Sequence, residues 1–453
     1  MTVEGLWQSR GYGWILGVAD GGFALYDITA ISGTRIDGGA SFAAAFGDVG
    51  SEGPNTVSLK SRGDVTTYWF DRIAALPAHC RPGAFESADA LRNFDVLWRQ
   101  FRENYAFFPL HGVDWEDTFR AFRPGLNADA GPDELWDVFG RMLAPLRDTH
   151  VSISDGTRAL DVTNPVRDRK AKLTEVFGAP PWAKDRLSYT RILQRAFGEM
   201  FLGGRYRTTT NDMMIYDEIA PGIGYVTLFG EFGHADTAGA RAALDLPRSR
   251  LEAASFLANE IAALERGLDE VAEAFAAMRG VIVDVRLNYG GYDRLALAFA
   301  GLFTDRPRTA YRKKAWTGNG FTASQAIGIA PRPRSLSHLP VCLLTSRQTA
   351  SAGEILVLGM MSCPNVTRVG EATLGILSDN LYKRLPIGWE VSLSNEVYEA
   401  PDGALYESIG IPPQVEAPVY DPADLRGGFR VAVDRALALL GSAADASAQP
   451  PAR

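Results

Sequence analysis

The chain has 453 residues, 46% apolar and 22% charged, with a formal net charge of −8. That length exceeds what one hydrophobic core organises, so two or three domains are expected. The composition is that of a globular protein, and with no basic excess to neutralise phosphates it excludes a general nucleic-acid binder.

Cys80, Cys342 and Cys363 are too few and too scattered for a disulfide framework or a zinc site, and Cys342 lies in an apolar run that reads as core. Met1 to Trp7 has neither a basic start nor a long apolar stretch, and no later segment is apolar enough to span a bilayer. The expectation is therefore a cytoplasmic chain without a membrane span.

Residues 1–82 read as a small antiparallel β module. Trp14–Val18 and Phe23–Tyr26 flank Asp20-Gly21-Gly22, a hairpin signature, and Val57–Leu59 and Val65–Phe70 flank Arg62-Gly63-Asp64 in the same way. A helical region, 86–158, follows. Leu91, Phe94, Trp98, Phe101 and Tyr105 recur at spacings of three and four, the apolar face of one helix. Further helices are predicted over 115–122 and 132–146, the latter starting at Gly131-Pro132 with acidic residues in its first turn. At Asp148-Thr149-His150 the period changes to two and a strand begins.

Residues 159–215 are locally basic and weakly periodic, which reads as a variable, solvated insertion. From 216 to 440 the pattern is α/β, with buried strands at 223–228, 280–285 and 340–345 and helices at 250–278, 352–361 and 424–440. The tail 441–453 has a disordered composition.

Ser351 falls between a buried strand ending at Thr345 and a helix beginning at Ala352. Free backbone N–H groups and the positive end of the helix dipole lie there, and both favour an oxyanion beside a serine. By position alone Ser351 reads first as a helix cap, which is what serine most often does there.

The wider pattern separates these readings. Val283 to Gly291 ends in a glycine-rich turn, and it precedes Thr349-Ala350-Ser351-Ala352-Gly353-Glu354, Gly370-Glu371-Ala372-Thr373-Leu374-Gly375 and Glu407-Ser408-Ile409-Gly410-Ile411-Pro412. In that order, with Trp98, Asn104-Tyr105, Val113-Asp114-Trp115 and 146–151 upstream, these segments resemble the tail-specific (C-terminal processing) and tricorn peptidases. The resemblance covers about 86–158 and 216–440. It implies an α/β multi-domain protein whose catalytic core is crotonase-like.

The resemblance also implies a site. Processing peptidases carry a lysine where this chain has Ile376, and Lys383 is out of register, so a Ser–Lys dyad of that type is excluded. The tricorn-like branch uses a histidine, which His150 matches; its neutral imidazole would take the Ser351 proton and return it to the leaving amine. Thr149 stands where that branch has serine, and Glu407 matches its distant glutamate, which would orient the base through the intervening hydroxyl. The oxyanion hole would combine the Ala352 N–H with an N–H of the Gly290-Gly291 turn. Asp284, Arg286, Glu354 and Glu371 read as structural partners. His79, His111 and His338 lack any such context, whereas His234, after a core strand, is the competing base.

The expected activity is serine-type, metal-independent hydrolysis of peptides or unfolded chains, with no cofactor. Two alternatives stand beside it: a module of this fold that binds peptide or apolar ligand without working catalysis, and a hydrolase of non-peptide esters or amides. No PDZ module is recognisable in 159–215, and the sequence leaves the oligomeric state open.

Overall fold

The computed structural model describes residues 3–161, 186–235, 249–419 and 425–448. The N-terminal module is a seven-stranded antiparallel sheet built from Gly5–Ser9, Trp14–Ala19, Gly22–Ile28, Gly33–Gly39, Phe46–Ser51, Thr56–Ser61 and Thr67–Ile73. Asp20 and Gly21 take φ of 51° and 75°, the two left-handed positions that a two-residue hairpin turn requires.

The helices follow from their apolar spacing. Ala90–Asn104 is capped by Asp89, which accepts the Arg92 N–H, and it buries Phe94, Leu97, Trp98 and Phe101. Trp115–Phe122 begins beneath it, and the indoles of Trp98 and Trp115 donate to each other's backbone carbonyls at 3.0 and 2.9 Å. Pro132–Leu143 ends in a single tight turn, Ala144–Leu146, after which Arg147 adopts φ 49° and reverses the chain. That reversal sends 148–150 toward the strand Ser152–Ser154.

The central sheet runs in the order Arg207–Thr208, Met214–Ala220, Ile223–Leu228, Gly280–Asp284, Val341–Thr345, Val366–Gly370 and Val415–Glu416. It is parallel from Ile223–Leu228 onward. Its middle strands are buried throughout, as a parallel sheet covered on both faces must be. Arg250–Phe275, Asp293–Ala300 and Ala352–Met361 pack on one face and Leu425–Ala448 on the other. The loops after Leu228, Asp284, Thr345 and Gly370 therefore gather at the carboxyl end of the sheet, where open α/β sheets place their sites.

Ser152–Ser154 belongs to a second sheet, in the order Asn380–Arg384, Glu390–Ser394, Ser152–Ser154, Ala159–Asp161. The helical region is thus woven into the α/β core. Packing is equally continuous: one apolar cluster joins Trp7 and Leu16 of the N-terminal sheet, Phe94 and Phe139 of the helices, and Leu381 and Leu393. Lys383, fully buried, donates to Asp27 and to the Tyr12 carbonyl at 2.7 Å, so it clasps the N-terminal module onto the core.

The structure departs from the sequence expectation at the C-terminus. The last helix does not stop at Leu440; it continues through 441–448, where the composition reads as a disordered tail. Extending a formed helix adds one hydrogen bond per residue without a new nucleus, and this stretch is rich in alanine. Residues 449–453, and 162–185 of the expected insertion, lie outside the described residues. Among the described residues no helix is long and apolar enough to cross a membrane.

Candidate active site

The four motif segments, scattered along the chain, meet at the carboxyl end of the central sheet. Hydrogen bonds between neighbouring loops bring them together. The Thr349 hydroxyl donates to the Val285 carbonyl at 2.8 Å, Ser346 to the Arg286 carbonyl at 2.6 Å, and the Ala350 N–H to the Asn288 carbonyl at 3.0 Å. The Leu374 N–H reaches the Thr349 carbonyl at 2.9 Å, and the Ser408 N–H reaches the Gly375 carbonyl at 2.7 Å. Asp284 and Arg286 hold the first turn as a fully buried pair, with Nη2 to Oδ2 at 2.6 Å and Nε to Oδ1 at 2.9 Å.

Ser351 sits at φ 52°, ψ −127°, a conformation that non-glycine residues rarely adopt. The Glu354 N–H reaches the Ser351 carbonyl at 2.7 Å, and Ser351 and Glu354 also stand in the reciprocal arrangement of a capping box. An ordinary cap has an extended backbone, so it is the φ of 52° that sets Ser351 apart.

The donors beside the hydroxyl can be counted. Ala352 opens its helix, so its N–H has no intrahelical partner. The Gly290 N–H donates to Asn288 Oδ1 at 2.8 Å, which takes it out of use. Among the described residues the Gly291 N–H carries no hydrogen bond, so it is the free donor of the pair. Close approach explains the glycines. A methyl on Gly290 would stand 2.6 Å from Ser351 Cβ and 2.9 Å from Ala352 N, and one on Gly291 would stand 2.4 Å from the Glu231 carbonyl oxygen.

Glu354, buried in the first turn of its helix, accepts from Ser351 N–H at 3.3 Å, Thr373 Oγ1 at 2.5 Å, and the N–H groups of Gly375 and Ile376 at 2.8 Å each. Burial raises its carboxyl to about 7 despite these bonds. Ile376 thus lies beside the residue that anchors Ser351, and its side chain has no proton to exchange.

His150 is buried, with its N–H on Asp148 Oδ1 at 2.8 Å. Tyr105 fixes that aspartate by donating to Oδ2 at 3.0 Å. Burial lowers the imidazole below the ordinary histidine value, opposed by the charges of Asp148 and Asp379 and by the Ser378 backbone. The imidazole is accordingly neutral at neutral pH. Its Nδ1 is buried without a hydrogen-bond partner.

Glu407 enters the same neighbourhood by a route other than the expected one. One carboxylate oxygen accepts the Leu377 and Ser378 N–H groups at 2.9 and 3.0 Å, not the Thr149 hydroxyl. Buried backbone N–H groups must be satisfied, and here the carboxylate is what satisfies them. Burial first, then the charges of Asp148 and Glu354, push the Glu407 carboxyl well above its usual range. Glu354, Glu407 and His150 therefore address successive positions of one strap, 375–378, with Ser351 at one end and His150 at the other.

His234, the competing base, is engaged within its own loop. Its ring Nε2 lies 3.2 Å from the Gly230 carbonyl, and burial drops its pKa to about 4. His79 lies beside Gly33, and His111 lies beside Tyr105. Sequence reasoning missed Glu231 and the role of Asn288. The available signal was an acid between two glycine-containing pairs directly after a fully buried strand.

Comparison with known proteins agrees with this architecture. Residues 250–417 match the peptidase family S41 model, and 87–144 match the tricorn protease C1 domain model. The carboxy-terminal processing protease CtpA of Bacillus subtilis is 30% identical over 147 residues, 32% of this chain and 30% of that protein. The carboxyl-terminal-processing protease of a Synechocystis species is 30% identical over 189 residues, 41% of this chain and 42% of that protein. The chain thus spans less than half the length of these curated relatives. A solved structure from Parabacteroides merdae shares the fold with a TM-score of 0.59 at 24% identity, covering 78% of this chain and 97% of that one. Segment 250–417 is thus similar to peptidase family S41, and segment 87–144 to the tricorn protease C1 domain.

Proposed function

We propose that this chain is a serine-type peptidase that cleaves peptide bonds through an acyl-enzyme on Ser351, with His150 as general base. The observation that carries this reading is the state of Ser351: a strained backbone at the mouth of a helix, with the Gly290-Gly291 turn packed against its Cβ and against the Ala352 N–H. In the reaction Ser351 Oγ attacks the substrate carbonyl carbon and His150 takes the hydroxyl proton. The oxyanion forms against the N–H groups of Ala352 and Gly291, each worth about 3 kcal/mol in the transition state. Collapse expels the amine, which receives the proton from His150, and water then hydrolyses the ester with His150 again as base.

Glu407 supports the base by fixing the strap at Ser378, and Thr149, next to His150, is the hydroxyl through which the tricorn-like arrangement would run. The substrates proposed are peptides or unfolded chains, in keeping with the carboxy-terminal processing that names the curated relatives.

A fluorophosphonate probe tests this. The wild-type protein labels, Ser351→Ala does not, and a fluorogenic peptide library is cleaved only by the former. A folded wild type that neither labels nor cleaves would overturn the reading in favour of a binding module, and one that labels but cleaves only esters would overturn the peptide substrate.

A further inference from the structure

Glu231 lies in the loop after Ile223–Leu228, is fully buried, and has no part in the chemistry above. Both its backbone and its side chain grip the oxyanion turn. Its N–H donates to the Gly290 carbonyl at 3.2 Å, and its carbonyl accepts the Tyr292 N–H at 3.0 Å, so the two segments pair on either side of Gly291. Its Oε1 accepts from Asn288 Nδ2 at 2.7 Å. Asn288 in turn accepts the Gly290 N–H on Oδ1 at 2.8 Å and the Ala350 N–H on its backbone carbonyl at 3.0 Å. One asparagine thus sits between the glycine turn and the nucleophile loop, and Glu231 is the group that holds its amide.

We propose that Glu231 is a positioning residue for the oxyanion hole, acting through Asn288 to set the Gly291 N–H against Ser351. An asparagine amide can present either its oxygen or its nitrogen to the turn, and only the oxygen can accept the Gly290 N–H. An acceptor at Glu231 ties down the nitrogen and so fixes the orientation. Without it the amide is free to flip, two N–H groups face each other, and the turn moves.

The Glu231 loop is itself firmly held. Glu260 accepts the N–H groups of His234 and Ala235 at 2.7 and 3.2 Å, and Asn211 donates to the carbonyls of Gly233 and Ala235 at 3.0 and 2.7 Å. Burial raises the Glu231 carboxyl to about 8, so at neutral pH it presents the same acceptor a glutamine would. Its second oxygen is buried without a partner. A site selected for stability alone would favour an apolar side chain here.

The inference rests on the peptidase reading, and steady-state hydrolysis of a fluorogenic peptide by purified full-length variants separates the two. Glu231→Ala is expected to lower kcat by roughly 10- to 100-fold with KM little changed, as loss of transition-state alignment does. Glu231→Gln keeps the acceptor and stays near wild type. Asn288→Asp keeps the acceptor for Gly290 but removes the amide donor to Glu231, so its kcat falls at pH 9, where two carboxylates face each other. The E231Q/N288D double variant restores a donor–acceptor pair with the roles reversed and recovers kcat relative to N288D alone, a rescue that does not depend on Glu231→Ala folding. Unchanged kcat in folded Glu231→Ala, a loss confined to KM, or no recovery in the double variant would overturn the proposal. If Ser351→Ala also retained activity, the peptidase reading itself would have failed.

Discussion

The two halves of the site are built differently. The nucleophile half, Ser351 with Ala352, Asn288 and Gly291, rides on neighbouring parallel strands and is joined loop to loop by the Thr349 hydroxyl on the Val285 carbonyl at 2.8 Å and the Ala350 N–H on the Asn288 carbonyl at 3.0 Å. The base half brings His150 from the end of a helical region, Ser378 from the strap and Glu407 from a distant turn, and it leaves His150 Nδ1 buried without a partner. The first half is set before substrate arrives, whereas the second has a side chain whose hydrogen bonding is incomplete. Catalytic hydrogen bonds are often loose in free enzymes and tighten only in the complex. The difference teaches that, in the reaction proposed, electrostatic stabilisation falls to the rigid part of the site and proton transfer to the adjustable part.

Mutations that break each half give the sharpest test. Ser351→Ala removes the nucleophile, and the expected loss is the largest, roughly 10⁴- to 10⁶-fold in kcat. His150→Ala should abolish fluorophosphonate labelling, while His234→Ala retains it; the reverse result would move the base to His234. Because burial lowers the His150 pKa, its neutral form persists into mild acid, so kcat/KM should decline only below pH 6.5. A pH–rate profile with an acid limb above that value would contradict the buried position of the base.

Gly291→Ala tests the rigid half. A methyl 2.4 Å from the Glu231 carbonyl oxygen cannot be accommodated without moving the turn, and a loss of roughly 10²- to 10³-fold in kcat is expected. Away from the chemistry, Lys383→Ala leaves Asp27 buried and unpaired between the N-terminal module and the core. Thermal unfolding should show a loss of about 3–5 kcal/mol. The smallest effect is expected from Thr149→Ser, which keeps the hydroxyl and removes only a methyl. A large fall in kcat there would show that the base half depends on the shape of Thr149 as well as on its hydroxyl.

Much of this was legible along the chain because local chemistry decided it. The helix Trp115–Phe122, the strand Ile223–Leu228 and the helix Ala352–Met361 follow from apolar spacing and flanking turn residues, and they stand where that spacing puts them. The last helix overran its expected end, since propagation through Ala-rich sequence carries no local stop signal. Ile376 alone removes a lysine mechanism of the processing type. The four motif segments, read in order with 146–151 upstream of them, marked Ser351, His150, Thr149, Glu407, Ala352 and the Gly290-Gly291 pair as one candidate site.

What the sequence by itself determined, then, was the order of elements, the α/β core and the residue types from which a serine site could be made. Only the tertiary structure decided which glycine keeps a free N–H, because that depends on Asn288 Oδ1 taking the Gly290 N–H at 2.8 Å. Only the tertiary structure turned Glu407 toward the backbone of Leu377 and Ser378, and set Glu231 against Asn288. The physical reason is the same in each case. A polar group's partner is chosen by which unsatisfied donor or acceptor folding leaves within about 3 Å of it, and no periodicity along the chain records that distance.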